Sequence, residues 1–161
     1  MTYEVKKTFG HNEGLSCCFR QWRADSHCNL LHGYALGISF IFKSKSLDSR
    51  NWVVDFGGFN VIKKFLHEWF DHTTLIAKDD PELKTFQQLN DKNLINLKII
   101  DDVGCEKFAE FIFKELVKIS PMCEVFLSSV AVREHMGNSA IYTNQFGIRD
   151  YMKIKSYPIV R

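Results

Sequence analysis

The longest alternating run in the chain sets Leu36, Ile38, Phe40 and Phe42 against Gly37, Ser39, Ile41 and Lys43. That period of two predicts a half-buried strand with one strongly apolar face. Upstream, residues 2–9 alternate more loosely through Tyr3, Val5 and Phe9 and predict a first strand. Residues 10–27 are irregular: either that strand resumes through Leu15 to Phe19, or the stretch is one long functional loop. After a polar turn at 44–51, Trp52-Val53-Val54-Asp55-Phe56 reads as a short strand or bridge ending at Gly57-Gly58. The period then changes to that of a helix, with Phe59, Ile62, Phe65, Leu66 and Trp69 on one side and Lys63, Lys64 and Glu68 outside. Pro81 opens a short helical segment through Leu89, and residues 94–100 read as a strand or extended connector. A second long helix begins near Gly104, carries Cys105, Phe108, Ala109, Ile112, Leu116 and Ile119 on its apolar side, and ends at Pro121. Residues 124–133 alternate again, Gly137-Asn138 is a turn, and 139–143 pairs back as a hairpin. Two hairpins with helices between them predict an α+β layer: a four-stranded antiparallel sheet with two helices packed on one face.

Composition narrows the class. The 161 residues, 45% of them hydrophobic, suffice for one core, and no repeat or Pro/Gly-rich linker divides them, so a single domain over 1–161 is expected. Fourteen phenylalanines imply a core or subunit interface rich in aromatic area. A net charge of +2 offers no basic field for nucleic acid. Five cysteines, an odd number without framework spacing, predict free thiols in a reducing compartment. With no apolar leader and no membrane-length run, the expectation is a soluble cytoplasmic protein without membrane or nucleic-acid partners.

The chemistry concentrates in His27-Cys28-Asn29-Leu30-Leu31-His32-Gly33-Tyr34. A thiolate near a cation or metal is a base poised near neutral pH, suited to a proton beside a carbonyl or hydroxyl. Asp71 adjoins His72 at a helix end, where the carboxylate would fix the imidazole tautomer if the side chains meet. Glu134 ends a strand whose same-face neighbours are Val132, Val130 and Ser128, and a carboxylate on an apolar face needs a partner. Such a carboxylate makes paired charge-assisted bonds to a guanidine-like edge. His67 falls on the polar face of its helix and is expected in solvent. Cys17, Cys18, Cys105 and Cys123 read as structural. Asp55 reads as a partner of the Gly57-Gly58 turn. Arg20, Trp22 and Arg23 form either a packed loop or a triphosphate and ring contact.

In this order, CNLLHG, VVDFGG, FDHTTL, GCEKFAEFIF and VAVREHMGNSAIY resemble the 6-pyruvoyl-tetrahydropterin synthase / 6-carboxytetrahydropterin synthase family of the T-fold, over nearly the whole chain. The short Cys28-to-His32 spacing is similar to the bacterial 6-carboxy branch. The resemblance implies a lyase that converts 7,8-dihydroneopterin triphosphate to 6-carboxy-5,6,7,8-tetrahydropterin, towards queuosine-type 7-deazaguanine compounds. It implies Cys28 as the proton-exchanging thiol, Asp71 and His72 as its acid/base pair, Glu134 on the pterin's amidine edge and Glu106 beside the pterin pocket. It also implies a homohexamer, a dimer of trimers, with active sites between subunits.

The family's zinc is held by a histidine at the end of the first strand and two in His-Gly-His. Here His32 keeps one position and Tyr34 stands at another. Aligning LSCCF with the strand end puts Phe19 at the third, whereas aligning TFGH there supplies His11. His32 with His11 and His27 would rebuild three nitrogens, with Tyr34 oxygen as a weaker candidate; the alternative is a site without zinc. The functional alternatives are 6-pyruvoyl-tetrahydropterin synthase activity and a non-catalytic pterin- or purine-binding T-fold protein.

Overall fold

A computed structural model describes residues 2–119 and 126–143. Its centre is β3 (His32–Ser44), whose 13 residues carry the alternation seen in the sequence. One edge of β3 is covered by two strands in succession. β1 (Tyr3–Phe9) pairs with its C-terminal half, from Tyr3 opposite Ser44 to Phe9 opposite Ile38, and β2 (Leu15–Phe19) with its N-terminal half, from Leu15 opposite Leu36 to Phe19 opposite His32. A single turn at His11–Glu13, closed by Gly14 at φ 79°, separates them, so the first strand does resume after an interruption. The other edge of β3 pairs with β6 (Phe126–His135), which continues through a hairpin into β7 (Asn138–Thr143).

The helices α1 (Asn60–Phe70) and α3 (Cys105–Ile119) bury their apolar stripes on one face of this sheet. Ile62, Leu66 and Phe70 come from the first, and Phe108, Ala109, Ile112 and Leu116 from the second. Phe108 is the hub: its ring meets Phe19 edge-on at 5.0 Å and Phe70 at 5.5 Å, and all three are fully buried. The α+β T-fold expectation therefore stands, with two additions. β4 (Thr73–Ala77) and β5 (Leu97–Ile100) extend the sheet beyond β2 as parallel strands, joined by the short helix α2 (Leu83–Asp91). All five residues of β4 are buried, so it shows no alternation; a strand covered on both faces has none.

Residues 52–56 are not a strand. The Asp48 carboxylate accepts from the backbone N–H groups of Arg50 and Trp52 at 2.8 and 2.9 Å, and this local turn outcompetes a ladder. Asp55 accepts from Gly57 N–H at 2.8 Å and opens a short 3-10 turn at Phe56–Gly58, as its expected role required. The helix end at Pro121, Cys123 and the expected strand start at Glu124 lie outside the described residues. No described helix is long and apolar enough to cross a membrane.

Candidate active site

The loop from β2 to β3 carries Cys28 within a 3-10 turn, His27–Asn29, opened by the Ser26 hydroxyl accepting from Cys28 N–H at 3.3 Å. Two sets of contacts hold this loop. Gln21 N–H donates to the Cys28 carbonyl at 2.9 Å, tying its two arms together. Arg20 donates to Asp80 at 2.9 Å, and the Asp80 carboxyl is fully buried. Arg23 lies over the Trp22 ring at 4.4 Å and pairs with Asp79 and Asp102. The Arg20, Trp22 and Arg23 cluster is thus a packed loop, its guanidiniums already matched by carboxylates.

Gln21 also reaches the start of α3. Gly104 sits there at φ 117°, a backbone angle that favours glycine, and an added Cβ would stand 2.8 Å from Gln21 Nε2, so the amide would have to move aside. Between loop, helix start and the β6–β7 hairpin lies a cavity of about 380 Å³, lined by Gln21, Cys28, Cys105, Glu106, Glu134 and the turn at Gly137–Ala140. Three expected site residues, Cys28, Glu106 and Glu134, therefore share one pocket. Two further lining residues, Cys105 and Gln21, were not singled out as functional in the sequence.

Burial first, and the Glu134 carboxylate second, set the protonation of the groups around the pocket. The Cys105 thiol, raised first by burial and then by the Glu134 carboxylate to which it hydrogen-bonds, stays protonated. Burial, then Glu134, Cys28 and Cys105, also holds the Tyr34 phenol above its usual range. Cys17, under the sheet, is pushed up to about 12 by burial and is inert as a nucleophile. Cys18 lies 3.2 Å from the Thr74 hydroxyl, a structural contact.

Asp71 and His72 lie elsewhere, at the junction of α1 and β4. His72 takes a left-handed φ of 55°, its N–H donates to Ser16 O at 2.7 Å, and its side chain is 88% exposed. Asp71 meets His72 Nδ1 at 2.5 Å and His67 Nδ1 at 2.9 Å. His67 continues to Glu13 through Nε2 at 3.3 Å, and Glu13 pairs with Lys63. His67 is therefore half-buried in a four-member relay rather than in solvent. The hydrogen bond from His67, then that from His72, holds Asp71 below the usual carboxylate range; Asp71, then Glu13, raises His67. Ser16 lies three strand positions from Phe19, so roughly 10 Å of β2 separates this relay from the β2–β3 end that bears Cys28. Among the described residues no hydrogen bond or ion pair joins the two.

The zinc ligand sets do not assemble. His32 rests on Phe19 with ring centroids 4.8 Å apart and on Tyr34 at 5.8 Å, and its Nδ1 is 2.7 Å from Leu30 O. His27 is exposed in its turn. His11 packs against Gly37, whose strand position faces away from His32 and Tyr34, and its Nδ1 meets Ala35 O at 2.5 Å. Among the described residues no group of three His, Cys, Asp or Glu side chains is placed to hold a metal. The set His11, His27 and His32 is accordingly split between two sheet faces and a surface turn, and these residues do not fit a three-nitrogen zinc site.

The comparisons with known proteins agree with the fold. The family model described as 6-pyruvoyl tetrahydropterin synthase matches residues 9–145. A 6-carboxy-5,6,7,8-tetrahydropterin synthase from Rickettsia felis is 33% identical over 57 residues, 35% of this chain and 41% of that protein, so the match spans well under half of the relative. An uncharacterized protein from Wolinella succinogenes superposes with TM-score 0.77 at 22% identity, covering 90% of this chain and 99% of that one. The 6-pyruvoyl tetrahydropterin synthase of Plasmodium falciparum does so with TM-score 0.63 at 15% identity, covering 89% and 98%. With the family model spanning β2 to β7, the chain belongs to the 6-pyruvoyl tetrahydropterin synthase family.

Proposed function

We propose that this protein is a lyase of the 6-carboxytetrahydropterin synthase type, acting on 7,8-dihydroneopterin triphosphate to form 6-carboxy-5,6,7,8-tetrahydropterin for 7-deazaguanine synthesis. The observation that carries the reading is the shared pocket of Cys28, Glu106 and Glu134. The short Cys28-to-His32 spacing and the name of the Rickettsia felis relative support the 6-carboxy product over the 6-pyruvoyl one.

In this reading Glu134 accepts two N–H bonds from the amino and ring nitrogens of the pterin, which orients the ring and places its side chain towards Cys28. The Cys28 thiolate removes a proton from a side-chain carbon and the thiol returns one across the bond rearrangement, while the triphosphate leaves from the terminal carbon, the outer two carbons leave as acetaldehyde and one water is consumed to give the carboxylate. Glu106, in the first turn of α3, closes the polar rim. The Asp71–His72 pair serves as the second proton carrier from another copy of the chain, because one copy holds it away from Cys28. Exposed Leu30, Leu31 and Met136 beside the pocket support burial of this end between subunits, in a hexamer built as a dimer of trimers.

Incubation of the purified protein with 7,8-dihydroneopterin triphosphate, followed by mass analysis, tests the reading. Loss of the side chain with a 6-carboxy product is expected; a 6-pyruvoyl product would reassign the activity within the class. Phe19 and Tyr34 at two metal positions favour one rival, a pterin- or purine-binding protein without catalysis. Tight pterin binding with an unchanged substrate would establish that rival and overturn the lyase.

A further inference from the structure

The corner where β2 ends at Phe19 and β3 begins at His32 lacks the donor set that a bound zinc needs. A catalytic zinc needs three lone pairs converging on one point. Phe19 contributes none, and it is fully buried edge-on to Phe108, which leaves it no room to swing aside. His32 contributes one: its Nδ1 faces the Leu30 carbonyl, which can only accept, so Nδ1 carries the proton and Nε2 the lone pair. His135 stacks beside Tyr34 at 6.2 Å, but its Nδ1 accepts from Gly137 N–H at 3.1 Å, which leaves Nε2 protonated. His11 spends Nδ1 on Ala35 O across the sheet. What the corner presents instead is a phenol and an imidazole at right angles, 5.8 Å apart, with Tyr34 in electrostatic range of Cys28, Cys105 and Glu134.

We infer that this chain works without a bound metal, and that Tyr34 O–H and His32 Nε2 together recognise a hydroxyl of the substrate's side chain. The phenol supplies a donor and the imidazole nitrogen an acceptor. A neutral hydroxyl, which both donates and accepts, satisfies the two at once; a carbonyl satisfies only the phenol. Tyr34 is thus a specificity-determining residue for a hydroxylated side chain beside a ring held by Glu134. The hydroxyl part of this inference rests on the proposed pterin substrate; the metal part does not.

Two measurements test it. Native protein is equilibrated with excess zinc, desalted and analysed for metal, beside His32→Ala, Tyr34→His and Phe19→His/Tyr34→His. Native protein and His32→Ala should each retain under about 0.1 zinc per chain, and the double variant should approach about one, since it restores three imidazoles. Should burial of a histidine at 19 prevent folding, Tyr34→His alone should still take up more zinc than the native chain. About one zinc per native chain, lost in His32→Ala, would overturn the inference. In the second measurement, Tyr34→Phe should weaken binding of 7,8-dihydroneopterin by roughly 5- to 10-fold, the worth of one hydrogen bond, and leave 6-methylpterin unchanged. Equal affinity of Tyr34→Phe and native protein for dihydroneopterin would overturn the hydroxyl assignment. A native chain that retains no zinc and binds neither pterin would remove the functional reading while leaving the metal-free corner established.

Discussion

Two polar regions lie along the same strand, β2, and they are built in opposite ways. At its start, Glu13, His67, Asp71 and His72 form a closed relay in which neighbouring carboxylates and imidazoles satisfy one another. At its end, Cys28, Glu106 and Glu134 line one cavity, with the Cys105 thiol hydrogen-bonded to Glu134 and Gln21 N–H to the Cys28 carbonyl. The relay is wired and presents one free face, the exposed His72. The pocket turns a thiol and two carboxylates towards one shared space. On the proposed lyase reading neither region makes an acid/base site alone: one pairs carboxylates with imidazoles away from the cavity, the other is a cavity with a thiol and two carboxylates.

The largest test of this contrast is Cys28→Ala. It should reduce turnover by about 10³-fold or more while leaving oligomer size and pterin affinity intact, since only the proton carrier is lost. Residual turnover near native level would move the chemistry out of the pocket. Asp71→Asn attacks the other region and should lower turnover by roughly 10²-fold, because His72 loses the carboxylate that sets its tautomer. A tenfold change in pterin affinity in that variant would show that the relay belongs to ring binding instead. Glu134→Gln should raise the dissociation constant for the pterin by about 10- to 100-fold, the worth of charge-assisted bonds to the ring edge. Unchanged affinity would remove its anchoring role.

The smallest effect expected is on pH-dependent stability. His67 is raised by Asp71 and Glu13, so its contribution is complete below its ordinary value of 6.5 and lost as pH rises through its folded value. Asp71 and Glu13 are lowered, so theirs is present above their ordinary values of 3.8 and 4.5 and lost as pH falls through the folded ones. Thermal unfolding should therefore be most resistant in the mildly acidic window between those ordinary values, and Asp71→Asn should flatten the maximum. A native profile already flat from pH 4 to 8 would mean that the relay is not held in solution. Exposure and salt screening keep the effect modest.

How far the chain could be read from its letters follows the same physical lines. β3, α1 and α3 were legible because each buries one face and exposes another, which writes a period into the sequence. β4 was not, because both of its faces are covered, and Trp52 to Phe56 misled because Asp48 and Asp55 supply local partners that a strand would have to outcompete. In the pocket, Cys28, Glu106 and Glu134 were found through motif resemblance. Cys105 sits within GCEKFAEFIF but on the apolar side of its helix, so it read as structural, and Gln21 carried no motif; a small buried thiol and a loop amide acquire a role only from what folds against them. His67 did carry a signal, its spacing of four residues before Asp71 on a helix, which brings the two side chains together. The metal set failed for a topological reason: His11 and His32 project to opposite faces of the sheet, and the turn between β1 and β2 decides that.

The central claim is that the Cys28 pocket of one copy is completed by the Asp71–His72 relay of another. Mixing Cys28→Ala protein with His72→Ala protein, after dissociation and reassembly, tests it most directly. Turnover of 7,8-dihydroneopterin triphosphate well above either parent is predicted, because some sites in the mixed oligomer then carry both intact partners. Mixed oligomers as inactive as their parents would contradict the account.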